Sequence, residues 1–471
     1  MKKVYLLQTA VLFLFTAFLT TNAYTQMEDC GAHPDDEMMH DEHCAVFALV
    51  PYDGATHIAV NNGSWFNPTT WNVLSVPGTN AQVVIDSGLT VTYDAVSEVE
   101  IHWVRVIGTL NFSSTVNTKL KVITAVVDPV GHLNIGTAAT PVINGVTAKI
   151  IFSDQGAIDI SDDPFEFGKG LISHGFTNVN GFYKKTICAI SKNISAGASN
   201  LKLAEIPTGW QVGDQIVLPG TYGTSINDFE NNSKFHDEVL TISSIASKTI
   251  YFTNNATGGN SLQYEHKFPT GYGLRLYVAN VTRNVIFESE NYTTIPINQR
   301  AHVMLMHNVA QSISNAAFNG LGRSDKNILV TTPVVDEFGN QLSGGENVRG
   351  RYSLHLHKAG TNNIGVVPAL IKGCAIVDAT SWGIVNHQSN ANIDDNVVFD
   401  FGGAAFVTED GNELGTFNRN IAIKGKKASL VTDFESRTAN FDFGFEGNGF
   451  WIQSSNAVSY THLTLPTSDL V

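Results

Sequence analysis

With 471 residues, of which 43% are hydrophobic, the chain is long enough for one large core or two to three domains. Charged residues make up only 15% and glycine fills 41 positions, a balance that fits a β-rich extracellular protein and excludes a charge-rich helical one. A formal net charge of −15 argues against nucleic acid or an anionic membrane surface as the main partner, and an acidic polysaccharide would need a local basic patch.

Residues 1–23 carry two lysines, a long apolar run and a small-residue cleavage site after Ala23. That is the pattern of a secretory leader in bacterial style. No later segment approaches the length of a membrane span, so the mature chain is expected to be secreted or held at the cell surface. The four cysteines, Cys30, Cys44, Cys188 and Cys374, are too few for a disulfide framework, although Cys30 and Cys44 are spaced to close a short loop. Residues 24–55 read as a polar tether. Within it, "AHPDDE" is similar to the zinc signature of a de-N-acetylase family, but no buried strand precedes it and no βαβ pattern follows. Only weak, adventitious metal binding is expected there.

From residue 56 the dominant signal is a repeat. Short β-branched runs are punctuated by Gly88, Gly108, Gly131 and Gly156, which lie 20, 23 and 25 residues apart, the period of one solenoid coil. Residues 186–275 lose that period and read as a small β insert. It returns over 276–457, where Gly373–His387 aligns with Asp395–Glu409 at an offset of 22. An asparagine before each strand suits a turn or an internal amide ladder. The expected fold is therefore all-β, a right-handed parallel β-helix of the pectate-lyase type carrying a small β insert, because stacked coils bury a core that no single coil could. The stretch from Arg323 to Gly350 interrupts the rhythm and is expected to be a loop roofing a groove. Residues 458–471 break the pattern. Their "VSYTHLTLPT" is similar to a translated sequencing adapter, so the natural chain is expected to continue past Ala457.

Residues 56–185 resemble the G8 (eight-glycine) domain family through "NNGSWFNPTTW", "VPGTNAQVVIDSGLTVTYD", "IGTLNF" and "GHLNIGTAATPVINGVTAKIIF". In that family a parallel β-helix follows. Here "RGRYSLHLH", "RAHVMLMHN" and "NHQSNANIDDNVVFDFGGAAFVTEDGNE" are similar to its motifs, with Ser353 and Leu356 departing from the pattern. The resemblance, shared with the cell-migration-inducing hyaluronan-binding, transmembrane hyaluronidase and fibrocystin group, implies a polysaccharide or cell-surface glycan as partner. It also implies depolymerisation, by hydrolysis or elimination, as the activity. A non-catalytic adhesin is the alternative.

The candidate site grows out of "SLHLH". His355 and His357 are two apart in a strand and so share a face. Aligning coil ends adds His307, His387 and Glu409 as one column, with Asp410 and Glu413 beside it. Imidazoles and carboxylates suit either route of glycosidic cleavage, so His355, His357, His387, Glu409, Asp410 and Glu413 are the catalytic candidates. Arg349, Arg351 and His307 are the candidates for holding an anionic sugar. Register with Val385 and Val407 leads to the expectation that His355 faces the core while His357 lies accessible at the strand end. A divalent metal such as calcium is compatible with the cluster, but the spacing of "HLH" fixes no third ligand.

Overall fold

The computed structural model describes residue 33 and residues 35–222, 235–268, 274–331, 333–335, 341–360, 367–427, 446–453 and 457–464, the last by backbone alone. The expected leader and Cys30 lie outside the described residues.

The chain winds as a parallel β-helix. On one face the strands Gln82–Ile85, Val96–Val106, Thr118–Val127, Gly170–Ser173, His302–Met306, Leu354–Gly360, Ile384–Asp394, Ala404–Thr408 and Asn448–Ile452 pair in that order, every neighbour parallel. Parallel neighbours need long crossovers, and the rest of each coil supplies them. Alternation along each strand sends one set of side chains inward. Val83, Val104, Ala125, Leu171, Val303, Leu354, Ile384 and Phe406 form one such stack in the buried core. Each large aliphatic member contributes roughly 1.5–3 kcal/mol by leaving water. The offset of 22 read from the sequence is the pairing register itself, with Ala375 opposite Val397 and Val385 opposite Val407.

Two of the punctuating glycines are required by close approach rather than by an unusual backbone angle. A Cβ on Gly108 would meet the Asp86 carbonyl oxygen at 2.2 Å, and one on Gly131 would meet that of Val106 at 2.0 Å. Amide ladders hold the corners of the later coils: the Asn396 side chain accepts from the Cys374 backbone N–H and donates to Asn420 Oδ1 at 3.0 Å.

The insert is a six-stranded sheet whose strands run from Ile187–Ala189 to Tyr277–Asn280, with antiparallel pairings throughout. It has its own apolar core, shared with Ala375, Val397, Phe399, Ile421 and Ile423, so it sits against the outside of the later coils. Strand Ala457–Thr464 extends the last coil parallel to Leu414–Lys426. Among the described residues, no helix is long and apolar enough to cross a membrane.

The stretch expected to be a polar tether is folded in part. Glu37–Ala48 is a helix, α1, whose N-cap Asp36 accepts a hydrogen bond from the Met39 backbone N–H at 3.0 Å, satisfying one of the orphan donors of the first turn. Val46 and Val50 pack on Val84, Trp103, Val126, Ile172, Met304 and Met306, which line the outer face of the first strand column. Cys44 is disulfide-bonded, while Cys188 and Cys374 are free and buried. The polar composition concealed this docking because the residues that hold α1 find their partners on coils from tens to some three hundred positions away.

Candidate functional site

The outer side of the same strand face positions the site. Ile172, Met304, His355, Val385 and Val407 stand in one column, each opposite the next. Two residues further along, Met306, His357 and His387 form a second column, and Glu409 follows His387, its N–H bonded to the Asn386 carbonyl. Leu354, Leu356 and Ile384, between these positions, belong to the core. His355 and His357 therefore both point outward. The expected split between an inward His355 and an accessible His357 is corrected: Val385 and Val407 are buried because they lie in an outer apolar cluster with Tyr352 and Trp382, not because they face the interior. Both imidazoles are buried, at 1% and 8% exposure.

The expected column also needs a shift at His307. Met306, not His307, is opposite His357, so His307 is the corner residue of its coil. It has φ 57°, and the residues following His357 and His387, Lys358 and Gln388, have φ 48° and 47°. A left-handed corner thus recurs in three successive coils. His307 still reaches the cluster, its ring centroid 6.3 Å from that of His357.

Helix α1 closes over this point. Glu42 Oε2 lies 3.1 Å from His357 Nε2, 3.1 Å from Lys358 Nζ and 3.8 Å from His307 Nε2. Burial alone would raise the Glu42 pKa. A hydrogen bond from His357, the approach of His307 and the charge of Lys358 outweigh it and hold the carboxyl well below the usual range. His357 Nδ1 and His387 Nδ1 are 3.0 Å apart, so one donates and the other accepts. His355 Nδ1 meets the Gly350 carbonyl at 2.8 Å, leaving Nε2 3.6 Å from Glu409 Oε2. The Tyr352 hydroxyl donates to Glu409 Oε1 at 3.3 Å. Burial keeps the imidazoles neutral: it lowers the His357 pKa to about 4, puts that of His355 well below its ordinary value and lowers that of His387.

Two sequence candidates serve the scaffold. The Glu413 carboxylate accepts backbone N–H groups of Glu409, Asp410 and Gly411 at 3.1, 2.7 and 2.8 Å and is fully buried; it shapes the 409–411 turn. Arg351 is buried, with Nε on the Phe165 and Glu166 carbonyls and Nη1 on that of Arg349, so its guanidinium is not presented to a substrate. Arg349 is exposed. Asp410 is exposed and accepts from Gln388 Nε2 at 2.7 Å. His387, Gln388, Glu409 and Asp410 thus form the accessible rim, with His355 and His357 behind it.

Three nearby residues were missed as site residues in the sequence. Glu42 and His43 sat in the stretch dismissed as a tether, and His174 ended a coil outside the compared set; the density of histidines around Cys44 was the available signal. Three groupings place their ligand atoms within 4.8 Å of one another: His355, His357 and His387; Glu42, His307 and His357; and His33, His43 and His307. His387 stands where spacing could fix no third donor for "HLH". These donors are mostly imidazole nitrogens, which suit zinc, copper or nickel, whereas calcium takes oxygens.

The G8 domain family matches residues 70–190 and the CEMIP beta-helix family matches residues 340–470, which bears out the resemblance carried by the glycine-punctuated repeat and by "RYSLHLH". A G8 domain-containing protein of Dictyostelium discoideum is 26% identical over 383 residues, covering 78% of this chain and 29% of its own length. Communication mutant protein F of the same organism is 24% identical over 365 residues, covering 74% and 28%. Human Fibrocystin-L is 24% identical over 441 residues, covering 88% and 10%. The chain thus spans less than a third of these relatives. Among solved structures, the tailspike of Acinetobacter baumannii bacteriophage AP22, in complex with a capsular saccharide, is 10% identical with a TM-score of 0.19 and covers 69% of this chain and 53% of its own. The gp49 tailspike of Pseudomonas phage LKA1 is 11% identical with a TM-score of 0.18, covering 71% and 50%.

Proposed function

For a chain that carries a G8 domain and, after it, a CEMIP β-helix, we propose a glycan-acting protein of the cell exterior whose substrate meets the rim formed by His387, Gln388, Glu409 and Asp410. The observation that carries this reading is the second outer column, in which buried neutral imidazoles run through His387 into Glu409 and end at the exposed Asp410. A hyaluronan-like, uronate-bearing polysaccharide is the substrate class.

The placement of the groups favours elimination over the two-carboxylate hydrolysis that needed Glu413. Glu413 is fully buried and its carboxylate is taken up by the backbone N–H groups of Glu409, Asp410 and Gly411, so it is not presented to a glycosidic oxygen. The neutral His387 imidazole can instead take the proton beside the uronate carboxyl. The hydrogen bond between its Nδ1 and that of His357, at 3.0 Å, holds that ring in place with Glu409 3.7 Å away, and Asp410 and Gln388 offer an acceptor and an amide to sugar hydroxyls. Binding without cleavage is the second reading, favoured by the withdrawal of Arg351 and Glu413 into the scaffold.

The test is incubation with hyaluronan and with a neutral glycan, following chain length and the ultraviolet absorbance of an unsaturated uronate. Wild type is expected to shorten hyaluronan with that absorbance rising. His387→Ala is expected to lose at least about a hundredfold, the usual scale for a general base, and Asp410→Asn to weaken binding. Shortening without the absorbance would replace elimination by hydrolysis. Retention without shortening would favour the binding reading, and normal cleavage by both variants would remove the rim from the account.

A further inference from the structure

A second group of imidazoles lies under α1 beside Glu42, and the reading above makes no use of it. His33 precedes the helix, His43 sits on its buried face, His307 occupies the left-handed corner after His302–Met306, and His174 follows strand Gly170–Ser173. Ring centroids are 4.6 Å apart for His33 and His307, 5.4 Å for His33 and His43, 4.5 Å for His43 and His174, and 5.1 Å for His174 and His307. His43 and His174 are 8% and 2% exposed, and the His307 side chain is 3% exposed.

Five of the ring nitrogens are orphaned. His43 Nδ1 and both nitrogens of His174 and of His307 are buried without a hydrogen-bond partner. Leaving a buried polar atom unsatisfied costs about 1–3 kcal/mol, so a cluster of them in one place calls for a ligand. His266, by contrast, has both nitrogens bonded, one to the Pro219 carbonyl and the other to Glu238.

We propose that His33, His43 and His307 bind one first-row transition-metal ion, zinc being the best fit, and that this ion pins helix α1 to the β-helix. The ligand atoms of the three residues lie within 4.8 Å of one another. Two nitrogens on a tetrahedral zinc at about 2.0–2.1 Å each are roughly 3.4 Å apart, so modest ring rotations close the site. Glu42 approaches His307 Nε2 at 3.8 Å and so leaves Nδ1 for the ion, the carboxylate–histidine–metal relay that fixes tautomer and ring orientation. His174 completes the set as a fourth imidazole or as the wall that excludes water. Three protein ligands from two distant segments make the ion a cross-link, and binding free energy at such a site is also docking free energy.

The experiment is titration of the chelator-treated full chain with zinc chloride, read by calorimetry and by the shift in thermal unfolding. Wild type is expected to bind zinc and to gain thermal stability. His33→Ala, on the half-buried segment before the helix, and His43→Gln are each expected to weaken binding at least about a hundredfold, at or above the upper end of the range for loss of a second-shell partner. His387→Ala, in the rim, is expected to leave this binding unchanged. Absence of zinc, nickel and cobalt binding by wild type would overturn the proposal. So would binding abolished by His387→Ala and indifferent to both His33→Ala and His43→Gln. If His43→Gln proves unfolded by circular dichroism, His33→Ala alone decides.

Discussion

Replacing Arg351 by alanine is expected to destabilise the protein by about 3–5 kcal/mol, the scale for stripping a buried cation from its partners. Its guanidinium spans the Phe165, Glu166 and Arg349 carbonyls and lies 4.2 Å from the centre of the Phe167 ring. Alanine leaves those acceptors dry and removes one of the two guanidinium charges, with Arg323, that offset the buried Asp163 and Glu166 carboxylates. Lysine will not rescue it, because a point charge cannot reproduce a planar fork. Urea unfolding reads the loss directly. A variant with wild-type stability but weakened affinity for an anionic glycan would return Arg351 to the substrate-binding role read from the sequence.

The second large effect is on pH. His43 and His357 have folded pKa values of about 4 against an ordinary 6.5, and those of His33, His174, His355 and His387 are also lowered, burial being the leading cause throughout. Each of these groups binds protons more readily unfolded than folded. Their contribution is therefore complete above the unfolded pKa and is lost as pH falls from 6.5 toward 4. Glu42 does not offset this, since its carboxyl stays ionised through that window. With chelator present, unfolding free energy is expected to fall by a few kcal/mol between about pH 7 and about pH 5, a range in which ordinary carboxylates remain charged. The His43→Phe variant should show a shallower slope. A flat profile for wild type would mean that the imidazoles are already solvated or charged.

The two signals that made the fold legible act locally and repeat. Close coil stacking demands glycine at positions such as Gly108 and Gly131, and alternation sends Leu354, Leu356 and Ile384 inward in coil after coil. The site was half legible for the same reason: aligned strand ends bring out His357, His387 and Glu409, the last two at the offset of 22 and the first two 30 apart. What failed depends on what covers the outside of the helix. Register with the apolar Val385 and Val407 suggested the interior for His355, but the strand's own parity puts it on the outer face with His357, beneath an outer layer that includes α1. Glu413 and Arg351 have the right chemistry for a glycan site, yet their partners are backbone groups whose placement no pattern of residue types records. Helix α1 was missed because Val46 and Val50 make only a narrow apolar stripe, and its polar anchors, Glu42 and His43, answer to His357, Lys358, His174 and His307.

The central claim is that glycan meets the protein at the coil ends around His387 and Glu409. Hydrogen exchange of the full chain, measured with and without a saturating hyaluronan oligosaccharide, tests it most directly. The account predicts slowed exchange over residues 386–390 and 408–414, and no change in the six-stranded insert. Slowing confined to the insert, with the coil ends unaltered, would contradict it.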